Sequence, residues 1–262
     1  LGIAKAKELM LEGGQNRIIL LTDGAANLGN ADPRDLAKLV ENMRQQGISF
    51  DACGVGAEGL NDRILESLTR KGDGRYYFLD RPEDADAGFA KQIAGALRPA
   101  ARNVKVQMNF NPNRVGRYRL YGFEKHLLKK EDFRNDSVDA AELAAEEAGN
   151  AIYQLELLPE GSGEIGTASV RFQDTESGRM IERIWTIPYE AQVPRLEDSA
   201  ASMRLASGAA LLGEKLKGSL IGEAVEMERL GKLINNLAGD FPSDDRVKEL
   251  IQMANQVREL SN

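Results

Sequence analysis

The alternation, over the first hundred residues, of short apolar runs with stretches of helical periodicity constrains this chain more than any other feature. The runs are Arg17 to Leu21 (RIILL), Ile48 to Cys53 (ISFDAC) and Arg75 to Leu79 (RYYFL). The first two are nearly continuous in apolar character. Strands of that kind belong to parallel sheets covered on both faces by crossover helices, so this part reads as α/β, a partial doubly wound parallel sheet. Between the runs, Asp32-Pro33 supplies an N-cap and a proline at the first helical position. Leu36, Leu39, Val40 and Met43 then form one apolar stripe that stops at Gly47. A second helix is expected from about Asp62 to Arg70, ending at Gly72, and a third from about Glu83 to Leu97, stopping before Pro99.

From Asn103 the period changes from 3.6 to 2, with Val104, Val106, Met108 and Phe110 alternating against Lys105, Gln107 and Asn109. Further strands are expected at Tyr118 to Phe123, Ala151 to Leu157, Gly166 to Phe172 and Ile181 to Ile187, a pattern that suggests a β-sandwich. After Pro194 the pattern is helical again. Its clearest element has Ser243 as N-cap, Asp244 and Asp245 in the first turn, and Val247, Leu250, Ile251, Ala254 and Val257 as its apolar stripe. The expected organisation is an α/β segment over 1–100, a sandwich-like segment over 101–193 and a helical unit over 194–262. Leu1 opens directly into helical periodicity with no initiator Met or signal peptide, so the chain reads as a piece of something longer.

Composition limits the chemistry. With 34 Lys+Arg against 41 Asp+Glu, the net charge of −7 repels phosphate backbones, and nucleic acid is not an expected partner. One cysteine, Cys53, excludes an internal disulfide and a multi-thiolate zinc site, and one histidine, His126, excludes His-rich metal sites. No apolar run approaches the ~20 residues of a membrane span. Function must rest on carboxylates, hydroxyls and backbone.

Thr22-Asp23-Gly24 follows the first apolar run directly, and in an open parallel sheet ligands gather outside the carboxyl ends of the strands. Asp23 is therefore the leading site candidate, with a turn or cap role as the alternative. The segments LLTDGAANLGNADP, ISFDACGVG and GDGRYYFLD resemble the second half of a von Willebrand factor type A domain. The segments VQMNFNPNRVGRYRLYGFEKHLLKKEDFRNDSVDA and SAASMRLASGAALLGEKLKGS resemble the extension that bacterial von Willebrand A proteins of the YfbK type carry behind it. The resemblance implies a metal-ion-dependent adhesion site, in which Mg²⁺ is held by a D-x-S-x-S loop, a Thr and an Asp after the fourth strand. By motif position that Asp is Asp23, with Thr22, Gly24 and Asn27 as partner-contacting neighbours. Mg²⁺ (or Mn²⁺) takes hard oxygen ligands and can leave a position open for a partner's acidic side chain. No two serines in this chain stand two positions apart, so D-x-S-x-S is absent and a metal is expected only with that upstream half present. Without such strands, RIILL would leave a parallel edge unpaired and apolar surface bare.

Other motifs carry weaker readings. Gly54 to Gly59 is a formal G-x-G-x-x-G after a strand, with Asp80 at the end of the next one, but Asn61 or Asp62 starts the helix after the glycines and not among them. The acidic stretch Glu131, Asp132, Asn135, Asp136 and Asp139 lacks EF-hand spacing and reads as a solvated loop. Cys53 reads as a small buried residue, His126 as a surface residue and Trp185 as sandwich core or sheet face. Arg114, Arg117 and Arg119 read either as a basic cluster facing an acidic partner or, equally well, as an exposed strand face. The leading expectation is a non-enzymatic protein-protein interaction or assembly module, with the cell envelope, on its periplasmic side, favoured as location. A nucleotide-binding protein or enzyme using the Gly54–Gly59 loop and a metal-free scaffold are the alternatives. A further expectation is that the helix Glu83 to Leu97 couples the state of the first segment to the second.

Overall fold

A computed structural model of the chain describes residues 2–24, 32–56, 59–85, 87–123, 127–136, 138, 140–144 and 148–260. The first elements are α1 (Gly2–Glu8), β1 (Asn16–Thr22), α2 (Pro33–Gln45), β2 (Ile48–Val55), α3 (Asp62–Lys71), β3 (Tyr76–Leu79) and α4 (Ala87–Ala96). The strands form a parallel sheet in the order β1-β2-β3, with Thr22 opposite Gly54 and Val55 opposite Leu79. The α/β reading of the first hundred residues is thus the observed fold. The expected helix from Glu83 to Leu97 is shorter than its periodicity implied: a 3-10 turn at Pro82–Asp84 precedes α4.

Local chemistry explains these boundaries. The Asp32 carboxylate accepts from Arg34 N at 2.8 Å, with Pro33 in the first turn, and Gly47 at φ 77 ends α2 in a conformation that favours glycine. The Asn61 side chain accepts from Ile64 N at 3.2 Å and starts α3. The three apolar runs are not equally covered. In β2, Ile48, Ala52 and Cys53 are fully buried, whereas in β1 no residue is buried and Leu21 is 67% exposed. The difference is positional, since β2 has a neighbour on each side and β1, among the described residues, pairs with β2 alone.

Buried in the middle of β2 is a carboxylate. Asp51 Oδ1 accepts from Arg17 Nη1 of β1 and from the backbone N–H of Arg75 just before β3, each at 2.6 Å. The two side chains are 5% (Arg17) and 1% (Asp51) exposed. Arg17 Nη2 reaches the carbonyl of Ala96, the last residue of α4, at 3.3 Å, so the cation also satisfies an open helix C-terminus. Arg75 approaches only because Gly74 has no side chain: a Cβ there would stand 1.8 Å from the Phe50 carbonyl oxygen and 2.7 Å from Asp51 Oδ1.

The later elements are β4 (Pro99–Phe110), β5 (Val115–Tyr121), β6 (Ala141–Ala144), β7 (Ile152–Leu157), β8 (Gly166–Asp174), β9 (Met180–Ile187), α5 (Ala201–Leu216), α6 (Leu220–Ala224), α7 (Met227–Asn235), α8 (Leu237–Asp240) and α9 (Asp245–Leu260). They include a four-stranded sheet in the order β6-β4-β8-β9 and a two-stranded antiparallel sheet, β5-β7. The short strand β6 escaped the sequence pattern. It pairs with β4 through a register broken twice, between Pro99 and Ala101 and between Ala101 and Val104. The helix α9 is capped by Asp244, not Ser243: Asp244 Oδ1 accepts from Arg246 N at 3.0 Å and Val247 N at 3.2 Å. By internal contacts the chain divides into two compact units, 1–105 with 137–148 and 171–181, and 106–136 with 149–170 and 182–262. The first has a core of Cys53, Tyr77 and Leu79 against Phe89 and Ile93. The second has one of Leu212, Met227, Leu230, Leu233, Ile234 and Ala254.

Asp51→Leu or Arg17→Met alone strands a buried charge and is expected to lower unfolding stability by about 3 to 5 kcal/mol. The Arg17→Met/Asp51→Leu double variant, lacking both charges, should recover much of that loss in urea denaturation. A double variant as unstable as the sum of the singles would show that the pair is not coupled.

Candidate functional site

The carboxyl ends of β1, β2 and β3 lie side by side, placing Thr22-Asp23-Gly24, Gly56 and Asp80 along one edge of the parallel sheet. Thr22 fixes the first turn: its hydroxyl donates to the Gly24 carbonyl at 2.8 Å and faces Gly24 N at 3.4 Å. The clasp folds the chain back beneath Asp23, and the Asp23 side chain is exposed at the top. Thr22, Asp23 and Gly24 are thus together, while Asn27 lies outside the described residues, as do His126 and Asp139.

Among the described residues, the oxygen donors at this edge do not by themselves make a Mg²⁺ site: Asp23 and the Thr22 hydroxyl would supply two ligands at most. Asp80 leaves the sheet two strands away, on the order of 10 Å, far beyond what one ion with ~2.1 Å bonds can span. Among the described residues no group of three or more His, Cys, Asp or Glu is arranged to hold a metal ion.

The glycine loop after β2 is explained by packing and backbone conformation. A Cβ on Gly54 would stand 2.7 Å from both Leu60 Cδ1 and the Tyr76 hydroxyl, so the space over this glycine belongs to those side chains. Gly56 and Gly59 sit at φ 76 and 77, where glycine is favoured. Ala57 and Glu58 lie outside the described residues. The Tyr76 hydroxyl hydrogen-bonds the carboxylate of Asp62, the first residue of α3. Burial, and then that carboxylate, push its pKa well above the usual phenol range. The N-terminus of α3, where a phosphate would sit in a dinucleotide site, is occupied by the Asn61 cap.

The remaining candidates fall as follows. Cys53 is fully buried, and burial pushes its thiol pKa up, as expected of an inert core cysteine. Trp185 is 53% exposed on β9, so it belongs to a sheet face and not to a core. The acidic stretch is not simply a solvated loop. Lys130–Arg134 is a 3-10 helix that buries Phe133, and Arg134 grips Glu182 through Nη2 at 2.8 Å and Nε at 3.2 Å. Arg114 is corrected as well: it is buried, stacked 3.7 Å from the centre of the Tyr189 ring, with Nε donating to the Gly163 carbonyl at 3.2 Å. A neighbouring pin holds the same loop, since Asn111 Nδ2 donates to the carbonyls of Ser162 and Glu164, each at 3.0 Å. This N-P-N-R turn clasped on a glycine loop lies within one of the two compact units.

Residues 95–162 match the family described as "Uncharacterized protein YfbK, C-terminal". The protein "Uncharacterized protein YfbK" of Escherichia coli (strain K12) is 27% identical over 277 residues, covering 100% of this chain and 48% of that protein. The chain thus spans about half the length of that curated relative. Among solved structures, a von Willebrand factor type A protein from Catenulispora acidiphila superposes with a TM-score of 0.50 at 18% identity, covering 95% of this chain and 61% of that one. The ArnB paralog VWA2 from Sulfolobus acidocaldarius gives 0.40 at 18% identity, covering 91% and 58%. At such identities the likeness is one of fold: a von Willebrand A-like α/β architecture. The resemblance read from the sequence is borne out by these matches. Among the described residues no helix is long and apolar enough to cross a membrane.

Gly54→Ala is expected to push Tyr76 or Leu60 aside at a cost of about 1 to 3 kcal/mol. In combination with Tyr76→Phe, which removes the crowded hydroxyl, the cost should be smaller than the sum of the single changes when read by thermal melts. Strict additivity would show that Tyr76 does not occupy the space above Gly54.

Proposed function

We propose that this chain is a non-enzymatic protein-interaction module that meets its partner at the carboxyl ends of β1, β2 and β3. The observation that carries this reading is the Thr22–Gly24 clasp, which holds Asp23 exposed at the sheet edge where open α/β folds gather ligands. Two further features support it. The arrangement occurs on a von Willebrand A-like fold, and the residues that would make the glycine loop a phosphate cradle are committed to packing and capping. In its finer form, Asp23 gives one oxygen to a Mg²⁺ or Mn²⁺ ion and an acidic side chain of the partner fills an open position. The other ligands must then come from donors beyond Thr22 and Asp23. In the same proposal the strands after Asn103 form a sandwich-like part and the residues after Pro194 a helical unit. The sandwich-like part draws on Phe110 of β4 packing on Tyr118 of β5 at 4.5 Å and on Tyr153 of β7 at 5.3 Å. A cell-envelope location belongs to the same proposal.

Photo-crosslinking tests the site. A crosslinking residue at position 24 should give a discrete adduct in bacterial extract that vanishes in the Asp23→Ala background, while the same residue at position 73, at the opposite end of the sheet, gives none. Equal adducts from both positions, or an adduct indifferent to Asp23→Ala, would overturn the reading. Repeating the reaction with EDTA and with added Mg²⁺ separates the metal-assisted form from a metal-free contact.

A further inference from the structure

On β5 and just before it, three arginines within six residues have separate fates. Arg114, in the turn before the strand, is spent on Tyr189 and the Gly163 carbonyl. Arg117 and Arg119 lie on the strand itself, opposite Glu156 and Gln154 of β7. The Arg117 side chain is 85% exposed and stands 3.9 Å from Glu156, itself 69% exposed, a contact worth little in water. Arg119 is exposed and forms no ion pair among the described residues. Between them Tyr118, 63% exposed, projects from the other face, where it meets Phe110 and Tyr153. These side chains border an open groove with Gln154, Leu155 and Glu156. In the sheet topology β5 pairs with β7 only, so its outer edge has no strand beside it among the described residues.

We propose that the outer edge of β5 is a docking site for an extended acidic segment of a partner protein, added as a third strand. Successive side chains of an added strand alternate in face as those of β5 do, and residues directly opposite stand about 5 Å apart at Cβ. A segment of the pattern acidic-apolar-acidic would then place its two carboxylates opposite Arg117 and Arg119 and its apolar residue opposite Tyr118. Charge selects the occupant. A second copy of β5 would set arginine against arginine, which opposes pairing, and a nucleic-acid backbone has no alternating N–H and C=O groups to pair with a strand edge. This surface is independent of Asp23, and its failure would leave the function proposed above untouched.

The test uses a fluorescein-labelled peptide of alternating Glu and Val, its Lys/Val counterpart, and a peptide of the same Glu/Val composition with the acids clustered. Anisotropy should show saturable, salt-sensitive binding of the alternating acidic peptide alone, and hydrogen exchange should show slowed amides in Val115–Tyr121. Arg117→Glu/Arg119→Glu should weaken binding by at least about tenfold with an unchanged melting temperature, and Arg117→Lys/Arg119→Lys should keep most of it. The proposal is overturned if the Lys/Val or clustered peptide binds equally well, or if charge reversal changes nothing. It is likewise overturned if the β5 amides stay unprotected, if duplex DNA competes through the same arginines, or if no saturation appears by about 1 mM.

Discussion

Asp51 lies out of reach of water, and a carboxylate there is tolerable only while Arg17 and the Arg75 N–H face it. That requirement reaches far along the chain. Arg17 belongs to β1, Asp51 to β2 and Arg75 to the approach to β3, and the same guanidinium ends on Ala96, 79 residues beyond Arg17. Glu142 on β6 stands 3.9 Å from Arg17 and 3.7 Å from Arg102 on β4, extending the network to the edge of the four-stranded sheet. Not every polar atom is matched: Arg17 Nε and Asp51 Oδ2 are buried without a hydrogen-bond partner among the described residues. A network of this kind contributes little net stability compared with an apolar core of the same shape. It does penalise any register in which its members fail to meet, because each failure leaves a charge in the interior. Parallel strands of nearly uniform apolar character can slip past one another with little loss of burial. One buried ion pair removes that freedom.

The same arrangement decides what the two ends of the sheet do. The ion pair, the α4 terminus and the crowded Gly72-Asp73-Gly74 turn are all tied into the structure, with Gly74 N bonded to Thr69 O at 2.9 Å and Phe50 N to Gly72 O at 2.8 Å. At the carboxyl ends, by contrast, Asp23 and Asp80 project into solvent and Thr22 spends its hydroxyl on shaping a turn. The strands are tied together toward their amino ends, and the exposed carboxylates stand at the other, the division that the recognition edge proposed above requires.

How much of this was legible in the sequence varies with the physics. The parallel strands and their helices were readable because apolar runs, the Asp32-Pro33 cap and the Asn61 cap act within a few residues of chain. The cap of α9 was misplaced by one residue because Ser243 and Asp244 are both good caps, and only geometry selects Asp244. The strand β6 was missed because four residues, paired through a broken register, carry no usable period. The importance of Asp51 had a signal, a carboxylate within an apolar run and an arginine opening the neighbouring one, but its meaning depended on a contact across 34 residues. For the site, the position of Asp23 at a strand end was legible. The committed state of the glycine loop was not, because Leu60 and Tyr76 reach Gly54 only in three dimensions.

The arginines around β5 show how one residue type divides between structure and surface. Sequence alone put Arg114, Arg117 and Arg119 together as one basic face. In the fold Arg114 is buried on an aromatic ring, where a planar, weakly hydrated cation can stack and still donate to a carbonyl, and lysine would do neither as well. Its charge is therefore spent in holding the 161–165 loop, which Asn111 grips from the other side. The clasped loop holds the turn that begins β5; past an irregularity between Val115 and Arg117, the pairing with β7 sets Arg117 and Arg119 on one face and Tyr118 on the other. Within the segment that matches the YfbK C-terminal family, one arginine is thus buried in structure while two close by in sequence remain exposed.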